Sequence, residues 1–506
     1  MDPRVLQLKE EYKQKFSRLN DYLWGAGLKD PVSRIQQMSF LFFLKMLEEQ
    51  DVALEKEAQL TKRSYESIFK GENERCRWSE WIHKSGKDLY NFVRDEVFPF
   101  MENISNDREN IRRMFQGAKL LIPDEVTLRK ALDIIDQIDF SGLDADVKGD
   151  LYEDLLNQIE AAGELGQFLT PRHIIRYMVA MINPKIGETV FDPACGSGGF
   201  LLASYEWIKL QNSDAKLIEE YNQIKRGPGD KLSKKQWNFL QNETFFGQDV
   251  DPEMTRLTLM NFFLHGLQES DINRKDTVAG AEDEQDLRRY DVVMTNPPFA
   301  GKVDKERIKK SLPIKSTKTQ VLFLGCVIDA LKPNGRAGII LPEGTLFGTN
   351  RDDKEIRRYL LENTEVQAVV SMPGGVFQPY SGVKTSVLIF KKKGTPKLDP
   401  EEKIWFYNML GDGSSLSKAK KFGSQYRNDI HDLLTKFPQK ETSQQSWPTL
   451  VKEIIENEYI LSANAYNPNI GQEEIRHREP RKILEEIGKI EKDLTKQINK
   501  IRDFIK

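Results

Sequence analysis

Cysteine and histidine are scarce in this chain, which has three cysteines and five histidines among 506 residues. Cys76, Cys195 and Cys326 lie far apart in the sequence, so they cannot build a disulfide framework or a cysteine-based zinc site. The histidines show no metal-ligand spacing, and no Ser-His-Asp arrangement can be argued from the sequence. We therefore expect a reducing compartment and no metal site.

Long apolar runs and a strong net charge are also missing. The N-terminus lacks the uninterrupted apolar core of a signal peptide, and Lys45 ends the apolar run 40–44 far short of the roughly 20 residues of a membrane helix. Lys and Arg number 75 against 78 Asp and Glu, and the net charge of -3 excludes a uniformly basic nucleic-acid coat but permits a local basic groove. The sequence predicts a cytoplasmic protein.

Changes in composition and in the spacing of apolar residues divide the chain into three predicted domains. These are a helical domain at 1–155, a central domain at 156–470 and a helical tail at 471–506. The central domain alternates short β-rich runs with helical patterns, which predicts an α/β fold with a doubly wound parallel sheet. In the tail, Ile and Leu recur at three- and four-residue spacing from 483 to 505, close to a coiled-coil seam. The predicted strands are 189–191, 244–247, 291–295, 337–341, 366–371 and 385–390.

A glycine-rich loop, Asp-Pro-Ala-Cys-Gly-Ser-Gly-Gly-Phe at 192–200, follows the first predicted strand and leads into a helical pattern. Gly196, Gly198 and Gly199 let the backbone approach a ligand closely. The spacing is not G-x-G-x-x-G and no P-loop lysine follows, so the dinucleotide and triphosphate interpretations are weak. Asp192 offers a carboxylate to a cationic ligand group. A tight strand-to-helix turn with a capping aspartate explains the segment equally well.

A second acidic signal, Asp249, follows the second predicted strand. A carboxylate there would bridge the two hydroxyls of a ribose, although the usual interval of about 20 residues is greatly exceeded. A polar, lysine-rich stretch at 211–241, predicted to be a surface insertion, explains the extra length. The alternative is an N-cap for a helix beginning near Pro252, which Asp251 supplies equally well.

The strand at 291–295 ends in Asn296, Pro297, Pro298 and Phe299. An exocyclic amine of adenine is a poor nucleophile because its lone pair is delocalised into the ring. The side-chain oxygen of Asn296 and the carbonyl of Pro297 can accept its two N–H groups and direct the lone pair at an electrophilic methyl, and the prolines hold these acceptors rigidly. Phe299 offers a stacking face to a base swung out of the duplex. A bare Asn-Pro-Pro is also found in simple turns.

Together, the glycine loop and Asn-Pro-Pro-Phe resemble the S-adenosylmethionine-dependent amino-methyltransferases. The segments GELGQFLTPRHIIRYMV at 163–179 and FFGQDVDPEMTRLTLMNFFLHG at 245–266 narrow this to the modification subunits of type I restriction-modification systems, over most of the chain. The resemblance implies that 156–470 is the catalytic domain and that the tail at 471–506 serves subunit assembly. It implies methyl transfer from S-adenosylmethionine to adenine N6 in duplex DNA by base flipping, which protects host DNA. The implied partners are double-stranded DNA, a specificity subunit, a restriction subunit and a second copy of the chain.

The resemblance also implies cofactor-binding residues. The segment 167–172 would flank the methionine end of the cofactor, the glycine loop would wrap it, Asp249 would hold its ribose and Asp276 would contact its adenine. The alternative for 167–172 is an ordinary helix start. The implied residues are Gln167, Phe168, Leu169, Thr170, Pro171, Arg172, Asp192, Gly196, Ser197, Gly198, Gly199, Asp249 and Asp276.

Two other functions share parts of this pattern. Methylation of cytosine N4 or of a protein glutamine uses the same Asn-Pro-Pro-aromatic motif, and a binding subunit could keep the cofactor site for structure alone. Intact Asp192, Asn296 and Phe299 argue against the binding subunit, and the absence of any Pro-Cys dipeptide argues against attack on a cytosine ring carbon. No module for reading bases in the major groove is evident, so sequence choice is expected to come from the specificity subunit.

The segment 301–320, just beyond Asn-Pro-Pro-Phe, holds seven basic residues against two acidic ones. A basic loop beside a pocket for the target base would neutralise DNA phosphates. An ordinary solvated surface loop is the alternative.

Overall fold

The computed structural model describes residues 3–61, 65–104, 108–138, 149, 152, 170–221, 224–267, 270–279, 289–379, 381–417 and 420–469. The chain forms two compact units, 1–463 and 464–506, and all contacts discussed below lie within the first. The tail predicted at 471–506 lies outside the described residues. None of the described helices has the length and apolar character to cross a membrane, and the cytoplasmic location stays a prediction.

The N-terminal part is helical, as predicted. Asp30 caps its second long helix, because its Oδ2 accepts from the Ser33 N–H at 2.7 Å, with Pro31 in the first turn. The side chains of Phe40, Leu41 and Phe43 are 0–1% exposed, so the apolar run is buried as expected. The helices are α1 (Pro3–Gly25), α2 (Pro31–Thr61), α3 (Trp78–Trp81), α4 (Gly86–Phe92), α5 (Phe98–Glu102), α6 (Glu109–Phe115) and α7 (Glu125–Asp136).

A nine-stranded sheet forms the centre of the remaining chain, with strand order β11-β10-β8-β9-β7-β6-β1-β4-β5. Most neighbours are parallel, but β9 is antiparallel to β7 and β8, and β11 is antiparallel to β10. The strands are β1 (Val190–Asp192), β2 (Glu219–Tyr221), β3 (Ile224–Arg226), β4 (Phe245–Asp249), β5 (Asp271–Arg274), β6 (Tyr290–Thr295), β7 (Leu331–Pro342), β8 (Thr364–Ser371), β9 (Thr385–Lys392), β10 (Lys403–Asn408) and β11 (Ser446–Leu450). The separate pair β2-β3 is a hairpin.

Helices connect these strands and complete the α/β fold. They are α8 (Arg172–Ile182), α9 (Gly199–Gln211), α10 (Lys234–Asn242), α11 (Pro252–Leu264), α12 (Thr319–Ala330), α13 (Glu343–Phe347), α14 (Arg351–Asn363), α15 (Ile430–Lys436) and α16 (Val451–Glu456). The predicted doubly wound α/β fold is therefore confirmed. The predicted insertion at 211–241 contains the β2-β3 hairpin and α10, which begins with a capping box made by Ser233 and Gln236.

The N-terminal helices pack directly on α11 of the sheet region. The rings of Phe43 and Phe263 lie 4.7 Å apart, centroid to centroid. Arg256 donates to the Gln116 carbonyl at 2.8 Å. Both parts of the chain therefore share one hydrophobic core. The predicted boundaries near 155 and 470 stay predictions, because 153–169 and the residues from 470 onward lie outside the described part.

Candidate active site

Three predicted site residues meet because of the strand order. β1 lies between β4 and β6 and pairs with both in parallel, with Asp192 opposite Gly247 and Phe191 opposite Val293. Asp192 ends β1, Asp249 ends β4, and Asn296 follows β6. The strand order reverses at β1, with β4 and β5 on one side and β6 and β7 on the other. Doubly wound folds bind ligands in the crevice at the carboxyl ends of the strands beside such a reversal, and we refer to this region as the crevice.

The glycine loop between β1 and α9 has a shape that side chains would not permit. Gly196 has φ of 53° and Gly198 has φ of 82°, in the left-handed region that favours glycine. A Cβ on Gly198 would lie 2.9 Å from Cε1 of Phe262, and a Cβ on Gly199 would lie 2.8 Å from Cδ1 of Ile175. The loop therefore lies close against α8 and α11, with no room for larger residues.

Two buried polar residues of α11, which sequence reasoning missed, hold this loop. The Thr258 hydroxyl donates to the Gly196 carbonyl, and Asn261 Nδ2 donates to the Ser197 carbonyl at 3.0 Å. Both side chains are fully buried in a helix that is otherwise largely apolar. Polar residues three positions apart within the run LTLMNFF were the available signal, because buried polar groups need partners.

Asp192 is buried at the carboxyl end of β1, with 1% exposure. Its Oδ1 accepts from the Ala194 N–H at 3.0 Å. Burial raises the pKa of Asp192 to about 7, because the hydrogen bonds it receives do not offset the loss of water, and the nearby charge of Asp249 adds to the effect. A cationic ligand group placed beside this carboxyl would restore its ionised form.

Asp249 is bonded to the glycine loop and does not cap α11. Its Oδ2 accepts from the Gly196 N–H at 3.0 Å, and its Oδ1 accepts from the Asp251 N–H at 2.9 Å. Burial raises the pKa of Asp249 although these bonds oppose the shift. Asp251 is the cap, since its Oδ1 accepts from the Glu253 N–H at 2.8 Å. Carboxylate oxygens have further lone pairs for hydroxyl donors, and ribose binding by Asp249 stays a prediction.

Asp276 lies in a turn beside the glycine loop. Its Oδ1 accepts from the N–H groups of Val278 and Ala279 at 3.1 and 2.9 Å. The Thr277 hydroxyl donates to the Pro193 carbonyl at 2.6 Å, which ties the turn to the loop. Contact of Asp276 with a cofactor adenine stays a prediction, but the fold does bring Asp276 to the same crevice.

Two lysines of the basic segment 301–320 have structural partners. Lys309 Nζ donates to the carbonyls of Asp276 and Thr277 at 2.7 and 2.9 Å, and thereby supports the Asp276 turn. Lys318 Nζ lies 3.0 Å from Asp353 Oδ2. Lys302, Lys305, Arg307, Lys310 and Lys315 are exposed. The segment thus combines supporting lysines with exposed ones, and its contact with DNA stays a prediction.

Asn296 has one satisfied and one unsatisfied polar atom. Its Nδ2 donates to the Thr170 hydroxyl at 2.8 Å. Its Oδ1 is buried, and no residue of the described ranges donates to it. Unpaired buried acceptors are rare, so a donor from a ligand is the natural partner for this oxygen. This is the atom that the sequence assigns to a substrate amine.

The segment from Thr170 to Arg172 lies between Asn296 and the glycine loop. Thr170 contacts Asn296 as described, and Arg172 Nη1 lies 3.2 Å from where a Cβ on Gly199 would be. Pro171 precedes α8 and is its N-cap residue. The first half of the predicted segment, Gln167, Phe168 and Leu169, lies outside the described residues.

Phe299 is 7% exposed and packs against an aromatic residue that the sequence did not single out. Its ring centroid lies 5.0 Å from that of Phe377, with the ring planes at 89°. Phe377 ends a Pro-Gly-Gly-Val-Phe segment at 373–377. Pro297 is buried and Pro298 is exposed. The structure thus places Phe377 beside Phe299, the residue predicted to contact the target base. Stacking of a base on Phe299 stays a prediction.

The chain is similar in sequence to known protein families and to individual proteins. A family model described as N-6 DNA Methylase matches residues 143–475, and one described as HsdM N-terminal domain matches residues 13–135. The methylase subunit of the type I restriction enzyme EcoEI from Escherichia coli is 29% identical over 500 residues, covering 95% of this chain and 94% of the relative. The StySJI methylase subunit from Salmonella typhimurium is 27% identical over 427 residues, covering 81% and 74%.

Solved structures agree with these relatives. A chain from a study of complex assembly and conformational transition in a type I R-M system has a TM-score of 0.70 and 28% identity, with 98% of each chain covered. A modification subunit of a type I restriction enzyme from Vibrio vulnificus YJ016 has a TM-score of 0.69 and 25% identity, covering 87% of this chain and 93% of the other.

Proposed function

The chain belongs to the N-6 DNA methylase family, and from that premise we propose that it methylates adenine N6 in duplex DNA, as the modification subunit of a type I restriction-modification system. The observation that carries the proposal is the buried Oδ1 of Asn296, to which no residue in the described part of the chain donates. The relatives favour this reaction over methylation of cytosine N4 or of a protein glutamine, and over a subunit that only binds the cofactor.

S-adenosylmethionine would supply the electrophilic methyl group. The residues present fit such a cofactor, because the buried carboxyl of Asp192 would pair with a cationic group and lies beside a loop whose glycines carry no side chain to block a ligand. Asp192 would face a cationic group, Asp249 the ribose and Asp276 the adenine. Backbone N–H groups hold each of these carboxyls in place, so the site is shaped before the cofactor arrives.

The chemistry at Asn296 follows from the amine of adenine. Asn296 Oδ1 and the Pro297 carbonyl would accept the two N–H groups, and these bonds strengthen as the nitrogen becomes tetrahedral. The low-dielectric surroundings increase the effect, since Oδ1 is buried. Phe299 would stack on the base after it leaves the duplex.

The test is methyl transfer from labelled S-adenosylmethionine to plasmid DNA, followed by mass analysis of the digested nucleosides. Label in N6-methyladenine is expected when the chain is co-purified with its partners, and Asn296→Ala in the same complex is the control. Label in N4-methylcytosine, or in protein, would overturn the proposed substrate. Cofactor binding without any transfer would favour the structural subunit.

We further propose that the chain assembles with a specificity subunit, a restriction subunit and a second copy of itself on DNA. The support is family membership and the apolar stripe from 483 to 505 in the sequence, which spans about 34 Å if helical. Deleting 480–506 is expected to abolish co-purification with the specificity subunit while S-adenosylmethionine still binds. Leu494→Asp on the stripe should act similarly, and Thr495→Asp beside it is the matched control. Undiminished co-purification of the truncated chain would contradict the proposal.

A further inference from the structure

We propose that Thr170 is a positioning residue that fixes the orientation of the Asn296 side-chain amide, so that its oxygen and not its nitrogen faces the target amine. The inference rests on the proposed function, since it concerns the same reaction. It assigns to the Thr170 hydroxyl a role in turnover that is separate from any contact with the cofactor.

The two ends of an asparagine amide have the same shape but opposite hydrogen-bonding character. A substrate amine needs an acceptor, so only the orientation with Oδ1 toward the substrate supports the reaction. In the structure the Thr170 hydroxyl oxygen accepts a hydrogen bond from Nδ2 at 2.8 Å. Oδ1 is buried and has no donor among the described residues.

The reversed orientation would be worse in the resting enzyme. Nδ2 would then occupy the buried position of Oδ1, where the described residues offer it no partner. The Thr170 hydroxyl could then donate to Oδ1, but both N–H groups of Nδ2 would be buried without a partner. That costs more than one unpaired oxygen, so the hydroxyl favours the observed orientation. Without the hydroxyl, neither orientation satisfies Nδ2, and part of the population would present N–H groups to the substrate amine.

Thr170 directly precedes the start of α8, which is anchored by its own contacts. The N–H groups of Ile174 and Ile175 donate to the Pro171 carbonyl at 2.9 and 3.1 Å, which closes the first turn directly after Thr170. His173 Nε2 lies 2.9 Å from Asp412 Oδ2, in the chain segment that follows β10. A residue anchored in this way is suited to orient a neighbour, because its own position varies little.

The test compares Thr170→Val with Thr170→Ser in the assembled complex, under saturating S-adenosylmethionine. Valine has the shape of threonine without the hydroxyl, and it is expected to lower single-turnover methyl transfer about tenfold. The cofactor dissociation constant of each variant is measured separately, because the resemblance also places Thr170 beside the cofactor, and Thr170→Ser should restore turnover relative to valine. If valine fails to fold, Thr170→Ala against Thr170→Ser gives the same comparison.

Repeating the comparison in an Asn296→Asp variant shows whether Thr170 acts through the side chain at 296. Aspartate at 296 presents an acceptor in either orientation, so in Asn296→Asp the valine effect is expected to shrink to less than about threefold. A full valine effect in that background would overturn the inference, as would a loss explained entirely by weaker cofactor binding. Wild-type turnover in Thr170→Val would overturn it while leaving the proposed function intact. A wild-type complex without any methyl transfer would instead count against the proposed function.

Discussion

The two halves of the crevice at the carboxyl ends of the strands differ in how their polar groups are satisfied. On the side of β1, β4 and β5, Asp192, Asp249 and Asp276 all accept backbone N–H groups. On the side of β6, Asn296 keeps a buried oxygen for which the described residues provide no donor. Groups within the chain therefore shape the side proposed for the cofactor (the cofactor side), whereas on the side proposed for the target base (the target side) a substrate would supply the missing donor.

This difference has an energetic meaning. An unpaired buried acceptor costs about 1–3 kcal/mol in the resting protein, and a donor from the substrate recovers that energy. The glycine loop shows the opposite arrangement, because Thr258 and Asn261 already hold its carbonyls. Changes on the two sides should therefore separate turnover from stability and cofactor affinity.

The largest effect is expected for Asn296→Ala. Losing a positioned acceptor should raise the barrier by about 2.7–4 kcal/mol, which is a fall in turnover of roughly a hundred- to a thousandfold. The change removes the unpaired buried oxygen but also the bond from Nδ2 to Thr170, so the melting temperature should change little, and cofactor affinity should stay nearly the same. Single-turnover kinetics measure the rate of methyl transfer, and calorimetry measures the melting temperature and the cofactor affinity. Turnover near the wild-type rate would remove Asn296 from the mechanism.

Gly198→Ala should have the converse effect on the cofactor side. Its φ of 82° and the 2.9 Å approach to Phe262 predict a loss of about 1–3 kcal/mol in the free energy of unfolding, with weaker cofactor binding. Gly187→Ala is the matched control, because Gly187 has a φ of 91° but open space around its Cβ position. Denaturant titration of both variants isolates the packing effect. Equal losses in the two variants would show that backbone strain alone matters.

Asp192 should give the cofactor side a distinct pH dependence. Burial raises its folded-state pKa to about 7, so between about pH 4 and pH 7 the folded chain holds more protons than the unfolded one. Without cofactor, stability should therefore fall as the pH rises through this window, and Asp192→Asn should flatten the fall. A cationic cofactor group should lower the pKa, so binding at about pH 6 should release a fraction of a proton. Calorimetry in two buffers of different ionisation enthalpy measures this, and zero release would contradict the assignment.

The smallest effect is expected at the basic segment, outside both halves of the crevice. Lys302→Gln together with Lys305→Gln should flatten the log–log salt dependence of DNA binding by roughly two units, if both exposed lysines contact phosphates. Lys309 is unsuitable for this test because its ammonium supports the Asp276 turn. Lys403→Gln, at the amino end of β10, is the control. An unchanged slope would make 301–320 an ordinary surface loop.

Local pattern predicted the interior of the fold better than its edges. All six predicted strands are present, whereas β5, β10 and β11 of the large sheet and the separate pair β2-β3 were not predicted. β5 is short and polar, and β11 contains Pro448, which argues against a strand except at an edge, where β11 lies. β10 is apolar, but the polar sequence around it resembles a loop.

In the site, the sequence singled out residues that the fold brings to the same strand ends, but it did not predict how they interact. Asp249 and Asp251 both precede Pro252, so only the hydrogen bonds distinguish the loop ligand from the helix cap. Thr170 and Asn296 lie 126 positions apart, and no spacing rule links them. The roles of Asp276 and of 167–172 came from the family resemblance, because their local sequence also fits an ordinary turn and an ordinary helix start.

Helix α11 has consequences for any attempt to shorten or recombine this protein. Its Thr258 and Asn261 side chains hold the glycine loop, and its Phe263 packs against Phe43 of the N-terminal helices. Every side chain from Met254 to Leu264 is buried. In a catalytic fragment without the N-terminal helices, this apolar surface would be exposed to water. Such a fragment should aggregate, which would hide any change in catalysis. Chimeras between relatives should therefore exchange α11 together with the helices that cover it.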